Sequence, residues 1–431
     1  MSAILARGFV LAIALACVAD AAAQPVFLQR LNSGPNAIEQ GAYGYGLGSD
    51  DVRIGIGEPF GLSGGMPSIA GGALEVWRRD GNTLTREQRI LPPLPVSGGI
   101  FGIRAALSGE WLAVMDISAG PQLHLYRRSG SVWTLQQTLS DPGDWGSSIA
   151  LLDDMLALGS PYYTPAVGLE SSGAVRLYRH QGSTWIEQPL LTGLDPSSYR
   201  TFGDSVALDR RADGVLQLAV GASGRNLAKG AVYVFHQDDS QWLHEQRLQL
   251  ADGQADEHLG FSVALRGETL LAGAPQASVL AQTTAGRAVV WRRLGSPDFP
   301  WVQESVLTWP QPAQDDQFGL AVALSREDDA LIAAPRRDIS SGSIYVNAGA
   351  VRRFHLGRNP VTCTSTWFDA GGVGNPAALP QTGALYGATL AGGRLVAISA
   401  LLGNVQSTAG AGFVDAFYDD SLFDDGFECS P

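Results

Sequence analysis

The chain has 431 residues, of which 45% are hydrophobic and 16% are charged, so it can bury a large core and does not resemble a disordered protein. Its formal net charge of −13 argues against nucleic acid as a partner, because no basic stripe is present to displace counterions from phosphates. The 53 glycines and 23 prolines are spread along the chain at turn positions, which favours many short strands over helices.

The N-terminus has the pattern of a bacterial secretory signal peptide. Met1 to Gln24 contains one basic residue, Arg7, then the apolar stretch Gly8 to Val18 and three alanines that end at Ala23. We predict that residues 1–23 are removed and that the chain is exported to the periplasm, the cell surface or the outside of a bacterium. The apolar run is too short for a transmembrane anchor, and no other transmembrane segment is predicted. Ala14 to Cys17 also resembles a lipoprotein box, with a leucine where a small residue is usual.

Residues 24–418 are predicted to form one domain that is built from repeats. The clearest stretch, Trp242 to Trp291, contains four short runs of β-branched, aromatic and small apolar residues, bounded by Gly, Pro, Asp or Ser. The four strands are predicted at Trp242–Leu248, Phe261–Leu265, Thr269–Ala274 and Ala288–Trp291. Four short strands cannot bury both faces of their sheet alone, so the copies must stack on one another.

Seven copies of this pattern follow one another along the chain. Each has a Gly-rich first strand, a second strand that usually ends near Gly-Ala-Pro, and a third strand such as GAVYVF. The first strands of the copies begin near Gly44, Phe101, Gly146, Phe202, Gly260, Phe318 and Leu390.

A fourth, outer strand lies between successive copies, and a Trp followed by Gln marks it. The marker residues are Trp133, Trp185, Trp242 and Trp301, with Leu84 and Trp367 in the same role after the first and sixth copies. No outer strand follows the seventh copy, whereas Val26 to Leu31 (VFLQRL) resembles one and precedes the first copy. We predict that this N-terminal strand completes the last sheet and closes a ring, which removes free sheet edges. An open solenoid is the alternative.

The FG, GAP and GAVYVF elements resemble the FG-GAP repeat family, whose best-known fold is the seven-bladed β-propeller at the head of integrin α chains. The resemblance extends from Val26 to Tyr418 and is strongest in the fourth, fifth and sixth copies. It implies an all-β fold, a seven-bladed β-propeller of four-stranded antiparallel blades whose ring is closed by the N-terminal strand. On this interpretation Trp242 to Trp291 is one blade.

The end of the chain, residues 419–431, is an acidic tail. Its LFDDGFE sequence resembles short C-terminal tails of exported bacterial proteins, which suggests a sorting role, and a poorly ordered terminus is the alternative. Removal of the signal peptide takes Cys17 away and leaves Cys363 and Cys429. An even pair of cysteines in an exported protein predicts one disulfide or two free thiols.

The longer turn in the fourth copy is the best candidate for a metal site. In calcium-binding members of the family the same turn carries oxygen ligands at alternate positions, followed by a Gly. Here Asp209, Asp213 and Gly214 match, whereas Arg211 stands where an acid is expected and Gln217 replaces the last acid. Because Ca²⁺ takes six to eight oxygen ligands, the resemblance implies at most a degenerate calcium loop at Asp209, Asp213 and Gln217. No other cofactor is predicted.

The turn between the first and second strands is acidic in six copies. The acids are Asp50 and Asp51, Glu110, Asp153 and Asp154, Asp213, Glu268, and Asp328 and Asp329. In a closed propeller these turns lie on one face, so we hypothesise a ring of negative charge that attracts divalent ions or cationic partners. Asp and Glu are also ordinary hairpin residues, so the pattern is compatible with a purely structural role.

No motif for catalysis is present. The sequence lacks the HExxH, GxSxG and P-loop patterns, and its six histidines form no recurring group with carboxylates. His124 stands at a third-strand position that Glu75, Val289 and Asp415 occupy in other copies. We interpret so tolerant a position as blade surface, and we predict that the chain is not an enzyme.

The loops between second and third strands are the longest and most varied. They span residues 60–71, 162–172, 276–285, 336–348 and 403–410, opposite the acidic turns. The resemblance to integrin heads implies that this face binds the ligand, with Tyr162, Tyr163 and Tyr345 as aromatic candidates. We therefore predict a monomeric, non-enzymatic binding or adhesion propeller for a protein or glycan. A polysaccharide-acting enzyme and a structural part of a surface assembly are the alternatives.

Overall fold

Short runs of Val, Leu, Ile and Ala form antiparallel strands in the computed structural model of the chain, and Gly, Pro and Asp end them. The structure describes residues 25–34, 37–61, 71–140, 148–194, 200–293, 295, 299–326, 328–358, 365–374, 380–405 and 408–419. The predicted signal peptide, Cys363, Cys429 and the tail beyond Asp419 lie outside these residues.

The strands form seven four-stranded antiparallel sheets, which are the blades of a propeller. The first three blades follow β1 (Val26–Leu31) and contain, in order, β2 (Leu47–Ser49), β3 (Arg53–Glu58), β4 (Ala73–Asp80), β5 (Thr83–Ile90), β6 (Phe101–Ser108), β7 (Trp111–Asp116), β8 (Gln122–Ser129), β9 (Val132–Ser140), β10 (Ser148–Leu152), β11 (Met155–Ser160), β12 (Ala174–Gln181) and β13 (Thr184–Glu187).

The other four blades repeat this order. The fourth to seventh contain β14 (Phe202–Arg210), β15 (Leu216–Ala222), β16 (Val232–Asp238), β17 (Gln241–Leu248), β18 (Ser262–Arg266), β19 (Thr269–Ala274), β20 (Arg287–Arg292), β21 (Val302–Leu307), β22 (Val322–Arg326), β23 (Asp329–Ala334), β26 (Ala350–Arg358), β27 (Ser365–Val373), β28 (Tyr386–Ala391), β29 (Leu395–Ala400) and β30 (Phe413–Tyr418). A small hairpin, β24 (Ile339–Ser340) and β25 (Ile344–Tyr345), and the single turn α1 (Arg225–Ala228) lie in loops. Across the described part of the chain, no helix has the length and apolar character needed to cross a membrane.

The repeat unit of the sequence spans two blades. β17, which contains Trp242, pairs with β16 in the fourth blade, whereas β18, β19 and β20 belong to the fifth. The prediction that Trp242 to Trp291 forms one blade is therefore wrong. An outer strand pairs with the third strand just before it in the chain, because a tight turn connects them, as the pairing of Asp238 with Gln241 shows.

The N-terminal strand closes the ring, as predicted. β1 pairs antiparallel with β30, from Val26 opposite Tyr418 to Leu31 opposite Val414. The seventh blade therefore has the order β28, β29, β30, β1. The Arg30 guanidinium binds the buried Asp415 carboxylate through two bonds of 2.7 Å, which fixes the closing strand in register. The all-β, seven-bladed architecture is confirmed.

The repeated glycines lie where neighbouring blades touch. A Cβ atom on Gly273, the GAP glycine of the fifth blade, would lie 1.9 Å from the carbonyl oxygen of Gly319 in the sixth. The Ser262 hydroxyl donates a hydrogen bond of 2.9 Å to that same oxygen. Gly57, Gly159 and Gly221 have the same 1.9 Å limit against the next blade's carbonyls at Gly102, Gly203 and Gly260. Only glycine allows the blades to approach this closely.

The outer strands are joined by side-chain amides. The Gln246 amide nitrogen donates to the Trp301 carbonyl at 2.9 Å, and the Trp301 backbone nitrogen donates to the Gln246 amide oxygen at 2.8 Å. Gln137 makes the same two bonds with Trp185, and Gln88 makes them with Trp133. The Trp and Gln pattern thus marks a clip between the outer strands of adjacent blades.

The third-strand position interpreted as blade surface is buried between blades. Glu75, Val289 and Asp415 are fully buried and His124 is 3% exposed. The interpretation is wrong because the residue at this position has a different partner in each blade. Asp415 receives Arg30 from the adjacent strand β1, whereas Val289 packs among apolar side chains.

Candidate functional site

The first strands of the blades line a central channel, whose two ends are built differently. The loops between second and third strands and the connections that enter the blades lie at one end, which we call the loop face. The turns between first and second strands lie at the other end, which we call the turn face. The predicted separation of the long loops from the acidic turns is confirmed.

The channel widens at the loop face into a cavity of about 630 Å³, which we call the channel mouth. This volume is within the range of ligand pockets. The larger side chains at the mouth are those of Tyr45, Arg104, Asp204, Phe261, Gln276, Gln317, Leu320, Arg336, Leu385 and Leu401.

Five mouth residues share one repeat position, directly after a repeated glycine at the start of the first strand. They are Tyr45, Asp204, Phe261, Leu320 and Ala388. The preceding glycines have positive φ, such as +86° at Gly260, and this conformation aims the next residue toward the mouth. The position was not predicted from the sequence. It could have been recognised in the sequence, because the residue type differs between copies at this one place while the flanking residues of the repeat stay similar.

Asp204 is the carboxylate among the described mouth residues. Its Oδ2 accepts hydrogen bonds from the Thr201 hydroxyl at 2.7 Å, from the Ser223 hydroxyl and from the Ser223 backbone nitrogen at 3.3 Å. Burial raises the pKa of Asp204, although these bonds and the charge of His258 act in the opposite direction. Two arginines, Arg104 and Arg336, supply the positive charges among the described mouth residues. The Arg104 guanidinium lies 5.5 Å from the centre of the Tyr45 ring.

An apolar groove of about 960 Å³ continues from the mouth across the seventh and first blades, and we call it the rim groove. It shares Tyr45, Leu385 and Leu401 with the mouth. Phe60 and Leu402 stand on its walls with 41% and 45% of their surfaces exposed. Because so much apolar surface faces water on the loop face, this region is the best candidate for a binding surface.

The three predicted aromatic candidates lie away from the residues that line the mouth. Tyr162 is 58% exposed in the loop of the third blade. Tyr163 lies 5.7 Å from the Arg176 guanidinium, and Tyr345 belongs to the hairpin of β24 and β25. The aromatic residues at the mouth and groove are Tyr45, Phe60 and Phe261 instead.

The acidic turns of the turn face are paired with cations or backbone N–H groups. Bonds to arginine hold Glu110, Asp153, Asp154, Asp213, Glu268 and Asp329. Asp50 and Asp51 accept backbone N–H groups, some of them from neighbouring blades. These contacts offset much of the negative charge that the sequence suggested, and the recruitment of cations stays a prediction.

The three residues of the predicted calcium loop are each hydrogen-bonded to other groups of the protein. Asp209 accepts the backbone N–H of Gly267 in the fifth blade, and burial raises its pKa. Asp213 is bound by the Arg211 guanidinium at 2.7 Å, which lowers its pKa. Gln217 is fully buried and donates to the Gly267 carbonyl at 3.0 Å. The donor atoms are therefore engaged by the protein, and a calcium ion here stays a prediction.

A second acidic cluster with metal-ligand chemistry lies in the sixth blade. Ligand atoms of Asp328, Asp329 and His355 lie within 4.8 Å of one another. Asp329 is bound twice by the Arg353 guanidinium, at 3.0 and 2.6 Å, and once by His355 Nδ1 at 3.0 Å. The hydrogen bond to Asp329 raises the pKa of His355. Both carboxylate oxygens of Asp329 are therefore already bonded to the Arg353 guanidinium, and the two residues form a buried ion pair.

One histidine and carboxylate pair is buried between the first and second blades. His124 Nε2 lies 3.5 Å from Asp116 Oδ2, and both residues are almost fully buried. Burial alone would raise the pKa of Asp116, but hydrogen bonds from His124 and Ser118 outweigh it and lower the pKa. Neither residue lines the channel mouth or its opposite end.

Comparisons with known proteins agree with this geometry. Residues 242–290 and 301–347 match the FG-GAP repeat model, and both stretches begin at an outer-strand tryptophan. No curated protein sequence matches the chain. A chain in the crystal structure of a mitotic checkpoint complex is similar with a TM-score of 0.52 and 12% identity, over 97% of this chain and 96% of that one. A putative 6-phosphogluconolactonase from Bacteroides uniformis is similar with a TM-score of 0.50 and 10% identity, over 75% of this chain and 83% of that one. At these identities the similarity shows the fold alone.

Proposed function

We propose that this propeller, which carries FG-GAP repeats in its fourth to sixth blades, is an exported binding protein of the adhesion type. Its loop face recognises a protein or glycan ligand, and the chain acts as a monomer without catalysis. Export rests on the signal-peptide pattern of residues 1–23.

One observation supports the proposal most directly. The blades repeat their glycines, clips and core residues, but in five blades the residue after the repeat glycine lies at the channel mouth and is a Tyr, Asp, Phe, Leu or Ala. A rigid scaffold that presents varied residues around one opening is the usual construction of a binding site. For a polysaccharide-cleaving enzyme two carboxylates would be needed at the opening, and Asp204 is the single one among the described mouth residues.

A binding screen tests the proposal. The purified chain is applied to defined arrays of glycans and of extracellular proteins, with and without calcium. We expect at least one ligand whose binding is lost in the Phe261→Ala variant, because Phe261 is 42% exposed at the mouth. The comparison with calcium tests the Asp209, Asp213 and Gln217 loop at the same time. Calcium-independent hydrolysis of an arrayed polysaccharide would contradict the proposal and favour the enzyme.

A further inference from the structure

The channel mouth and the rim groove form one continuous surface with two kinds of chemistry. The shared residues Tyr45, Leu385 and Leu401 lie between an apolar hollow on one side and a polar opening on the other. A ligand that crosses these residues must therefore present an apolar group and a polar group next to each other.

The groove fits a bulky apolar side chain. Ile38, Phe60, Leu385, Leu401 and Leu402 supply its walls. Glu39 is the charged residue among the described residues that line it. A sugar placed there would lose water from its hydroxyl groups and would gain few hydrogen bonds, which is unfavourable. An aliphatic or aromatic side chain loses no hydrogen bonds in the same place.

The mouth beside the groove fits a carboxylate. Arg104 lies over Tyr45, at the boundary between groove and mouth, and Arg336 is exposed at the opening. The Asp204 carboxylate is bound by the hydroxyls of Thr201 and Ser223. Two guanidinium groups and this one carboxylate line the described part of the mouth, so its local charge is cationic, although the whole chain has a formal net charge of −13. Guanidinium groups bind carboxylates through strong, directional hydrogen bonds.

We propose that the ligand of this surface is a polypeptide segment in which a bulky apolar residue lies next to an aspartate or glutamate. The apolar side chain fills the rim groove, and the carboxylate binds Arg104 and Arg336. This inference rests on the proposed function and deepens it, since it selects protein over glycan. Protein is favoured because the groove offers contact area and few hydrogen bonds.

Selection of peptides tests the inference. The purified chain is used to select twelve-residue peptides from a random library displayed on phage, and the consensus peptide is then synthesised. We expect a consensus with a large apolar residue beside Asp or Glu. Binding should weaken at least tenfold in Leu402→Ser and in Arg336→Glu. Replacing the acid of the peptide by its amide should weaken binding to the unmodified chain and abolish the difference between that chain and Arg336→Glu.

Two control variants separate the site from general surface effects. Phe368→Ser removes a phenylalanine that is 50% exposed on the outer strand of the sixth blade, and Arg210→Glu reverses an exposed charge on the turn face. Both should bind the peptide like the unmodified chain. No enriched peptide, a consensus without an acid, or equal loss in the controls would overturn the inference. Glycan binding at the mouth without peptide binding would overturn it while leaving the proposed function intact, and binding to neither class would contradict both.

Discussion

The amide clips between outer strands make a measurable prediction about stability. In Gln246→Ala both hydrogen bonds to Trp301 are lost, one of 2.9 Å and one of 2.8 Å. A typical hydrogen bond contributes about 0.5–1.5 kcal/mol net, so the two together contribute about 1–3 kcal/mol. Trp301 is 2% exposed, so water replaces the lost partners poorly and the upper half of this range applies.

Gln188 provides a matched control. It is also an outer-strand glutamine after a tryptophan, but its amide nitrogen bonds to the Ile186 carbonyl of its own strand at 3.1 Å. Gln188→Ala should therefore change the free energy of unfolding by less than about 0.5 kcal/mol, as surface substitutions usually do. The two glutamines differ in whether their amides join neighbouring blades.

Urea unfolding followed by tryptophan fluorescence and by circular dichroism measures both variants. We expect Gln246→Ala to lower the urea midpoint with an unchanged slope, which indicates lost native-state stability. The Gln188→Ala midpoint should coincide with that of the unmodified chain. Equal midpoints for the two variants would refute the idea that the Trp and Gln pattern joins the blades.

Three further predictions test the close packing of the blades and their buried charges. Gly273→Ala should lower the free energy of unfolding by more than about 3 kcal/mol, because the new Cβ would lie 1.9 Å from the Gly319 carbonyl oxygen. In the matched variant Gly372→Ala the new Cβ would lie 3.8 Å from the Val351 carbonyl oxygen, so thermal unfolding should change little. Burial raises the pKa of Glu58 from 4.5 to about 6, so the folded chain holds this proton more tightly than the unfolded chain does. The free energy of unfolding should therefore fall by about 2 kcal/mol as the pH rises from 4.5 through 6. Unfolding curves of Glu58→Gln should not show this loss. Arg30→Ala leaves the buried Asp415 without its cation and should lower the free energy of unfolding by about 3–5 kcal/mol. Adding Asp415→Leu to this variant should restore most of the lost stability, because it removes the unpaired buried charge.

The architecture follows from the sequence because the same physical constraint acts in every blade. Close contact between blades requires a glycine at fixed places, such as Gly273, and these glycines are visible as a repeat. The closing strand Val26 to Leu31 is recognisable because it has the outer-strand pattern at the wrong end of the chain. The sequence does not show in the same way which blade each outer strand joins. The repeat between Trp242 and Trp291 is the same whether the outer strand pairs forward or backward, and the short turn before Gln241 decides.

The burial of the variable third-strand position could not be read from one sequence. Glu75 binds Arg86 and Arg89, and Asp415 binds Arg30, so each buried charge has its partner in a different strand of the chain. A tolerant position thus has two explanations, exposure to water or a different partner in each blade. The distance between each carboxylate and the nearest guanidinium distinguishes the two explanations, because a carboxylate can be buried when a guanidinium pairs with it.

The candidate binding position at the channel mouth was not predicted from the sequence for a related reason. A propeller holds its blades through groups that must be identical, and Gly260 with its φ of +86° is one of them. The next residue, Phe261, leaves the contact between blades and points to the channel mouth, where the geometry of the fold places no limit on its side chain. Tyr45 and Asp204 occupy the equivalent place in two other blades. Phe261 thus differs from Glu75. The chemistry of Glu75 is explained by Arg86 and the other groups that bind it, whereas no such partner explains why the residue at the mouth varies from blade to blade.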